Sequence, residues 1–287
     1  IRAYRGNASF MLRYQEYLGN DIRVSDVDGV FKEDFIKWGV SKGYPMGTIK
    51  FNLERLKAVC FYAESRGEVI SNQVKNLTKG VKKHATEGVY LTLEDIDKII
   101  ALEIEDKELD IARDWLVISC FIGQRSISLL NLTRENINRP QLLITLKQVK
   151  TGVNVTIPIL PQVQVILDKY NVNFPPRLKQ TDRYNYHQYN TLIKEVCRLA
   201  NISEVSKGRG RKGEGIKSKV VSKPKHELIT SHIGRRSFAT NFYGKMNMQS
   251  IMAITGHKTE SSFLLYINKN RVVDTDALRR EFMKALE

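Results

Sequence analysis

Acidic side chains are in short supply in this sequence, cysteine is nearly absent, and no long apolar run occurs. The 287 residues hold 31 Asp plus Glu against 46 Lys plus Arg, a formal charge of +15 at pH 7. That deficit of negative charge favours a polyanionic partner, nucleic acid first, although ribosomal and membrane-surface proteins share it. The three cysteines, Cys60, Cys120 and Cys197, are odd in number and lack metal-ligand spacing. They read as reduced core thiols of a cytoplasmic protein rather than a disulfide framework. The longest apolar run, "WLVISCFI" at 115–122, falls well short of the roughly 18 residues a membrane helix needs and reads as a buried helix. No signal peptide is expected. Because the chain opens on Ile1 rather than Met, a preceding segment is expected to be missing. There is no internal repeat.

What is present is enough apolar material, 42% of residues, for the cores of two domains. Residues 1–78 read as helical throughout. "ASFMLRYQEYLG" stops at Gly19 and "VFKEDFIKWGVSKG" at Gly43, and a longer helix runs from Pro45 to a stop at Gly67. In that third helix Ile49, Leu53, Leu56, Val59, Cys60 and Ala63 recur at helical spacing, with Lys50, Arg55 and Lys57 off the stripe. A polar, glycine-punctuated stretch then suggests a linker. The expected division is a helical domain over 1–80, a linker over 81–90 and a second domain over 91–287. Thr92 and Asp95 form a capping box for the next helix, and another ends at Gly123. β character concentrates in "LLITLKQVKTGVNVTIPI" (142–159), read as a hairpin around "KTGV". Residues 206–226 carry eight Lys/Arg against one Glu and four Gly, either a flexible basic loop or a basic β-ribbon. The fold class expected is mainly α with a small antiparallel sheet.

Four places put polar groups into apolar context. Arg125 follows "CFIGQ", a lysine (Lys150 or Lys147) lies on the hairpin, and His232 and Arg235 stand three apart on one helical face. His257 follows a glycine, and Tyr266 comes nine residues later within "FLLYI". Nine residues on one straight helix would set these two on opposite faces, but Gly256 breaks the pattern just before the His, and two short helices folded back on each other would bring them together. Singly, each has an ordinary explanation as a cap, a solvated lysine, a surface pair or a core aromatic.

Together and in this order, "IGQRSISLLNL", "KTGVNVTIPI", "SHIGRRSFAT" and "ITGHKTESSFLLYI" resemble the signature boxes of the tyrosine recombinase family, most of all integrases of conjugative or mobilisable elements of Bacteroides-type bacteria. The resemblance covers about 90–270, and 1–78 resembles the family's core-site-binding domain only in type and place. It implies an all-α DNA-binding domain followed by an α+β catalytic domain, acting on double-stranded DNA without a metal or other cofactor. It further implies that Arg125, Arg235 and His257 hold the scissile phosphate and His232 assists proton transfer. Lys150 is then the general acid for the 5′-hydroxyl, with Tyr266 the nucleophile that keeps a 3′-phosphotyrosyl bond. The sequence shows no acidic triad or Cys/His cluster at ligand spacing. Physical need agrees, since a phenol titrating near 10 is a poor nucleophile at neutral pH and the attacked phosphate gathers charge that fixed cations must offset.

Two positions depart from the family pattern. Ser128 stands where an acidic residue often supports the first arginine, and Arg236 stands where a histidine is common. Lys50, Arg55, Lys57, Arg209, Arg211, Lys212 and Arg236 are candidates for contact with DNA. The C-terminal "TDALRREFMKALE" either packs on its own domain or docks into a neighbour of a tetramer on synapsed sites, the chain being a monomer in solution. A topoisomerase of type IB and a non-catalytic accessory factor are the rival readings, and bacterial cytoplasm is the expected location.

Overall fold

The computed structural model describes residues 2–82, 88–150, 152–210, 219–267 and 283. The chain divides into two compact units, one within 1–85 and the other within 86–287.

The first unit is built on three helices, α1 (Arg2–Leu18), α2 (Gly29–Ser41) and α3 (Met46–Glu64), followed by a 3₁₀ turn at Asn72–Asn76. Asp28 starts α2 by accepting a hydrogen bond from Phe31 N at 2.8 Å. Gly19, Gly43 and Gly67 all have positive φ, the conformation that ends a helix and that glycine adopts without steric cost. The α3 stripe turns inward as its spacing predicts, burying Ile49, Leu53, Leu56 and Cys60. Against it packs an aromatic cluster of Phe10, Tyr14, Phe31, Phe35 and Trp38, several pairs edge to face. Asn7 Nδ2 donates to Asn52 Oδ1 at 2.9 Å and so pins α1 to α3 inside this core.

The second unit is organised around α5 (Lys107–Ile122), every residue of which from Asp114 onward is buried. Four helices surround it: α4 (Leu93–Ile100), α7 (Pro161–Lys169), α8 (Asp182–Leu199) and α10 (Ile233–Phe242). The Thr92/Asp95 capping box forms as the sequence predicts. The hairpin also forms, with β2 (Leu143–Lys147) antiparallel to β3 (Asn154–Pro158) in the register Thr145 to Thr156, and the two-residue strand β1 (Ile137–Asn138) adds to its edge. The basic segment supplies a second, two-stranded sheet, β4 (Val205–Gly210) with β5 (Lys219–Pro224), so the described residues of the unit form two small sheets rather than one. Residues 211–218 between them lie outside the described residues, as do 83–87 of the expected linker and, Met283 apart, the C-terminal "TDALRREFMKALE". Short helices α6 (Ser126–Leu129) and α9 (Lys225–Leu228) and the pair α11 (Met248–Thr255) and α12 (Glu260–Ile267) complete it. Cys60, Cys120 and Cys197 are all free and buried. Among the described residues no helix is long and apolar enough to cross a membrane.

Candidate active site

Close helix packing sets the site. A Cβ on Gly234 would lie 1.7 Å from Ser119 Oγ, so only glycine lets α10 press against α5 at that point. One residue on, Arg235 is 3% exposed, and its Nη1 donates to Gly123 O at 3.1 Å. Gly123 ends α5 in the left-handed conformation, φ 64, and hands the chain to Gln124 and Arg125, the residue that opens α6. Arg125 Nη1 donates to Gln148 Oε1 at 3.1 Å.

Gly256 does what the sequence predicts. It ends α11 at φ 66, and α12 folds back so that the His257 and Tyr266 rings lie 4.9 Å apart. The Thr255 hydroxyl donates to Ile251 O at 2.7 Å, which leaves its oxygen free to accept from His257 Nδ1–H at 2.8 Å. The Tyr266 ring packs on the small cluster of Phe238, Ala239, Ile251, Phe263 and Ile267, so it is partly a core aromatic. Its hydroxyl, however, is buried and makes no hydrogen bond of good geometry, and neither does Arg235 Nη2, although the Arg235 and Arg236 side chains lie close enough to act on the phenol. The Arg235 and Arg236 guanidiniums lie 5.9 and 5.1 Å from the tyrosine ring centre. Arg236 is held over that ring by the backbone of Gly88, where a Cβ would meet its Nη1 at 0.8 Å.

Electrostatics follow from this crowding of like charge. Burial and then the charge of Arg125 push Arg235 down to about 10. Burial and the charges of Arg235 and Arg125 push His257 down to about 4, so it is neutral at pH 7. His232, at the exposed start of α10, is lowered by partial desolvation and then by the positive charges of Arg235, Arg236, Arg125 and Lys150. Burial raises the Tyr266 phenol, and Arg235, Arg236 and Arg125 pull against that rise. The six expected groups are therefore brought to one place: Arg125, Arg235, His257 and Tyr266 by direct packing or charge, His232 and Lys150 through the charges they share. Lys147 faces solvent on β2 opposite Asn154. Among the described residues no group of three or more His, Cys, Asp or Glu is placed to hold a metal ion.

The other candidates scatter. Lys50 and Lys57 stand two turns apart on one face of α3, and Arg55 is about 140° round from Lys50. Lys57 Nζ donates to Lys75 O, and the Arg55 guanidinium lies 5.1 and 5.4 Å from the Phe51 and Tyr4 ring centres. Arg209 lies on β4, its side chain outside what is described, and Arg211 and Lys212 lie outside the described residues. Residues not singled out from the sequence also belong here: Gln124, Gln148 and Thr255, all buried and polar. The period-two alternation Ile144, Leu146, Gln148 already placed a glutamine on the inward side of the hairpin, which was the available signal.

No family model matches the chain. It is 27% identical over 229 residues to the tyrosine recombinase XerA of Pyrococcus furiosus, covering 79% of this chain and 71% of that protein. Its fold is similar to that of a Tn1549 transposon integrase in complex with transposon right end DNA, with TM-score 0.66 at 18% identity over 99% of this chain and 94% of that one. It is similar also to a λ integrase dimer bound to a core site, with TM-score 0.65 at 17% identity over 94% and 89%. The sequence relative is a tyrosine recombinase, and the fold is shared with integrases solved on DNA, so the chain is similar to this family in sequence and has its fold.

Proposed function

We propose that the chain is a site-specific DNA recombinase, an integrase of a mobile element, that cuts and rejoins strands through Tyr266. The observation that carries this reading is the buried, charged Arg235 guanidinium, which lies beside Arg125 and close enough to the buried Tyr266 hydroxyl to act on the phenol, with no carboxylate among the groups that act on it. Cations gathered without carboxylates suit an anion with several oxygens, and a phosphodiester supplies them.

In this reading the Tyr266 oxygen attacks phosphorus, the new P–O bond replaces the bond to O5′, and a 3′-phosphotyrosyl ester results. The phenol proton passes to His232, neutral at pH 7, and Lys150 returns a proton to the departing O5′. The charge of Lys150, which reaches His232, supports Lys150 in this role. Arg125 and Arg235 take the non-bridging oxygens. His257 becomes a donor to the same phosphate as the anion raises its pKa and adds a proton at Nε2. Fixed guanidiniums supply the electrostatic stabilisation a metal would otherwise give, so added chelator leaves the reaction unchanged. The ester conserves bond energy for rejoining to another strand.

The unit within 1–85 is assigned to core-site binding and the remainder to catalysis, with Lys50, Arg55 and Lys57 of the first and the β4–β5 ribbon of the second each contacting phosphates. Synapsis of two sites makes the working assembly a tetramer, and the bacterial cytoplasm is its setting. A nicked duplex that loses its 5′ fragment on cleavage tests the function: the protein is expected to become covalently attached to DNA. Relaxation of supercoiled plasmid with no site preference would instead indicate a topoisomerase, and no adduct at all an accessory factor.

A further inference from the structure

Arg125, Lys150 and His257 sit on three separate elements, and those elements meet at one side chain. Gln148 is 1% exposed at the tip of the β2–β3 hairpin, two residues before Lys150. Its Oε1 accepts from Arg125 Nη1 at 3.1 Å. Its Nε2 donates to Gln124 Oε1 at 3.0 Å and to Ile254 O, in the last turn of α11, at 3.2 Å. Gln124 Nε2 donates to the same Ile254 O at 2.8 Å. The backbone of Gln148 also closes the hairpin, its N donating to Val153 O and its O accepting from Gly152 N, each at 2.8 Å. A Cβ at Gly256, just before His257, would lie 2.4 Å from Gln148 Oε1, so the His257 turn is seated directly on this amide.

A carboxamide is the side chain this place calls for. One end must accept from a guanidinium and the other must donate to a carbonyl. Glutamate would keep the first bond, lose the second, set a carboxylate against two oxygens and cancel the charge that Arg125 offers. Leucine of similar size would lose both bonds. Ser128, the position from which an acidic residue often supports the first arginine, accepts instead from Val149 N at 3.3 Å and braces the hairpin backbone.

We propose that Gln148 is the positioning residue of this site: its amide holds Arg125, the hairpin that carries Lys150 and the turn that carries His257 in a single register. The consequence for rate rests on the phosphodiester-cleaving role proposed above; the junction itself does not. Gln148 then acts through Arg125 and touches no DNA.

The test compares the full chain with Gln148→Leu, Gln148→Glu, Arg125→Ala and the double variant Arg125→Ala/Gln148→Leu. The probe is a pool of nicked duplexes randomised on both sides of the nick. One version carries an ordinary scissile phosphate and another an uncharged methylphosphonate there. With the ordinary phosphate, Gln148→Leu is expected to bind DNA within about threefold of wild type while single-turnover adduct formation falls roughly 10- to 100-fold. Gln148→Glu falls further. The double variant is no slower than Arg125→Ala, because the glutamine has nothing left to act through. On the methylphosphonate, which builds less negative charge for Arg125 to offset, the gap between wild type and Gln148→Leu narrows to about threefold. A wild-type rate for Gln148→Leu, losses that multiply in the double variant, or an undiminished gap on the methylphosphonate would overturn the proposal.

A second measurement needs neither DNA nor a folded leucine variant: nitrogen-15 spectra of the arginine guanidiniums, with Arg125 assigned by Arg125→Lys. Restricted rotation of the Arg125 Nη groups in the wild type supports the junction, and free rotation contradicts it. If that signature is present and the wild type forms no adduct on any duplex, the junction stands and the phosphodiester reading is what fails.

Discussion

Two buried cations in the second unit have opposite surroundings. Lys225 is 6% exposed and meets Asp95 at 2.5 Å and Glu204 at 2.7 Å. Burial alone would lower its pKa, but the hydrogen bonds and charges of the two carboxylates outweigh burial and leave it raised. Arg235 is 3% exposed, has a backbone carbonyl on one nitrogen and a neutral phenol nearby, and faces a second arginine with no carboxylate among the groups that act on it. The first cation is complete and joins α9 to α4. The second is stabilised too little by its own protein, and a group in that condition is held for something that comes from outside.

The largest expected effect separates the two by removing each. Arg235→Leu should cut adduct formation by about 10²- to 10³-fold while leaving thermal stability unchanged or slightly higher, since an uncompensated charge has left the interior. Lys225→Ala strands Asp95 and should cost about 3 kcal/mol in urea unfolding. Its cleavage rate, measured where it remains folded, should stay near wild type. A stability loss for Arg235→Leu as large as that for Lys225→Ala would erase the distinction.

Titration sharpens it. Asp95 lies below its ordinary value: burial alone would raise it, but the Lys225 hydrogen bond, with Thr92 and the lysine's charge, outweighs that. Its stabilisation is present above the unfolded carboxylate pKa and is lost as pH falls through the folded one. The raised Lys225 holds its share below its unfolded pKa and loses it as pH rises through the folded value. The paired site is therefore insensitive across the neutral range. His257, depressed to about 4, behaves otherwise: the unfolded chain takes a proton near 6.5 that the native site refuses. Stability should fall as pH drops from about 6.5 toward 4, by on the order of 2 kcal/mol, and His257→Gln should flatten that slope.

Gly234→Ala comes next. Its Cβ has no room against Ser119, so α10 must shift from α5 and carry Arg235 with it, costing about 1–3 kcal/mol and lowering the cleavage rate. The smallest effects belong to the first unit. Lys50→Ala and Lys57→Ala should each weaken DNA binding modestly and reduce the salt dependence of log affinity by about one unit, with no change in single-turnover cleavage.

How much of this could be read from the sequence depends on how local the cause is. The Thr92 cap, the Gly123 and Gly256 stops and the β2–β3 alternation are written in neighbouring residues, and all appear where the pattern places them. The fold-back that joins His257 to Tyr266 was legible for the same reason. The end of α4 at Ile100 was not, because Arg113 reaches over from α5 to take Ile100 O and Leu102 O, leaving Leu102 and Ile104 to pack on the core as extended chain. Strand β1 has two residues and exists only by pairing with β2. The roles of Gln124 and Gln148 depend on partners more than 20 residues away, and the Arg236 guanidinium lies against Gly88, which is distant in sequence. Chemistry-bearing residues could be named from their boxes, but the side chains that aim them could not.

The account is tested most directly by locating the covalent bond. The wild-type chain, incubated with the nicked duplex pool, digested and analysed by mass spectrometry, should show a nucleotide remnant on the peptide containing Tyr266, and Tyr266→Phe should give no adduct. Protein–DNA linkage that persists at full yield in Tyr266→Phe, or a remnant on another residue, would contradict it.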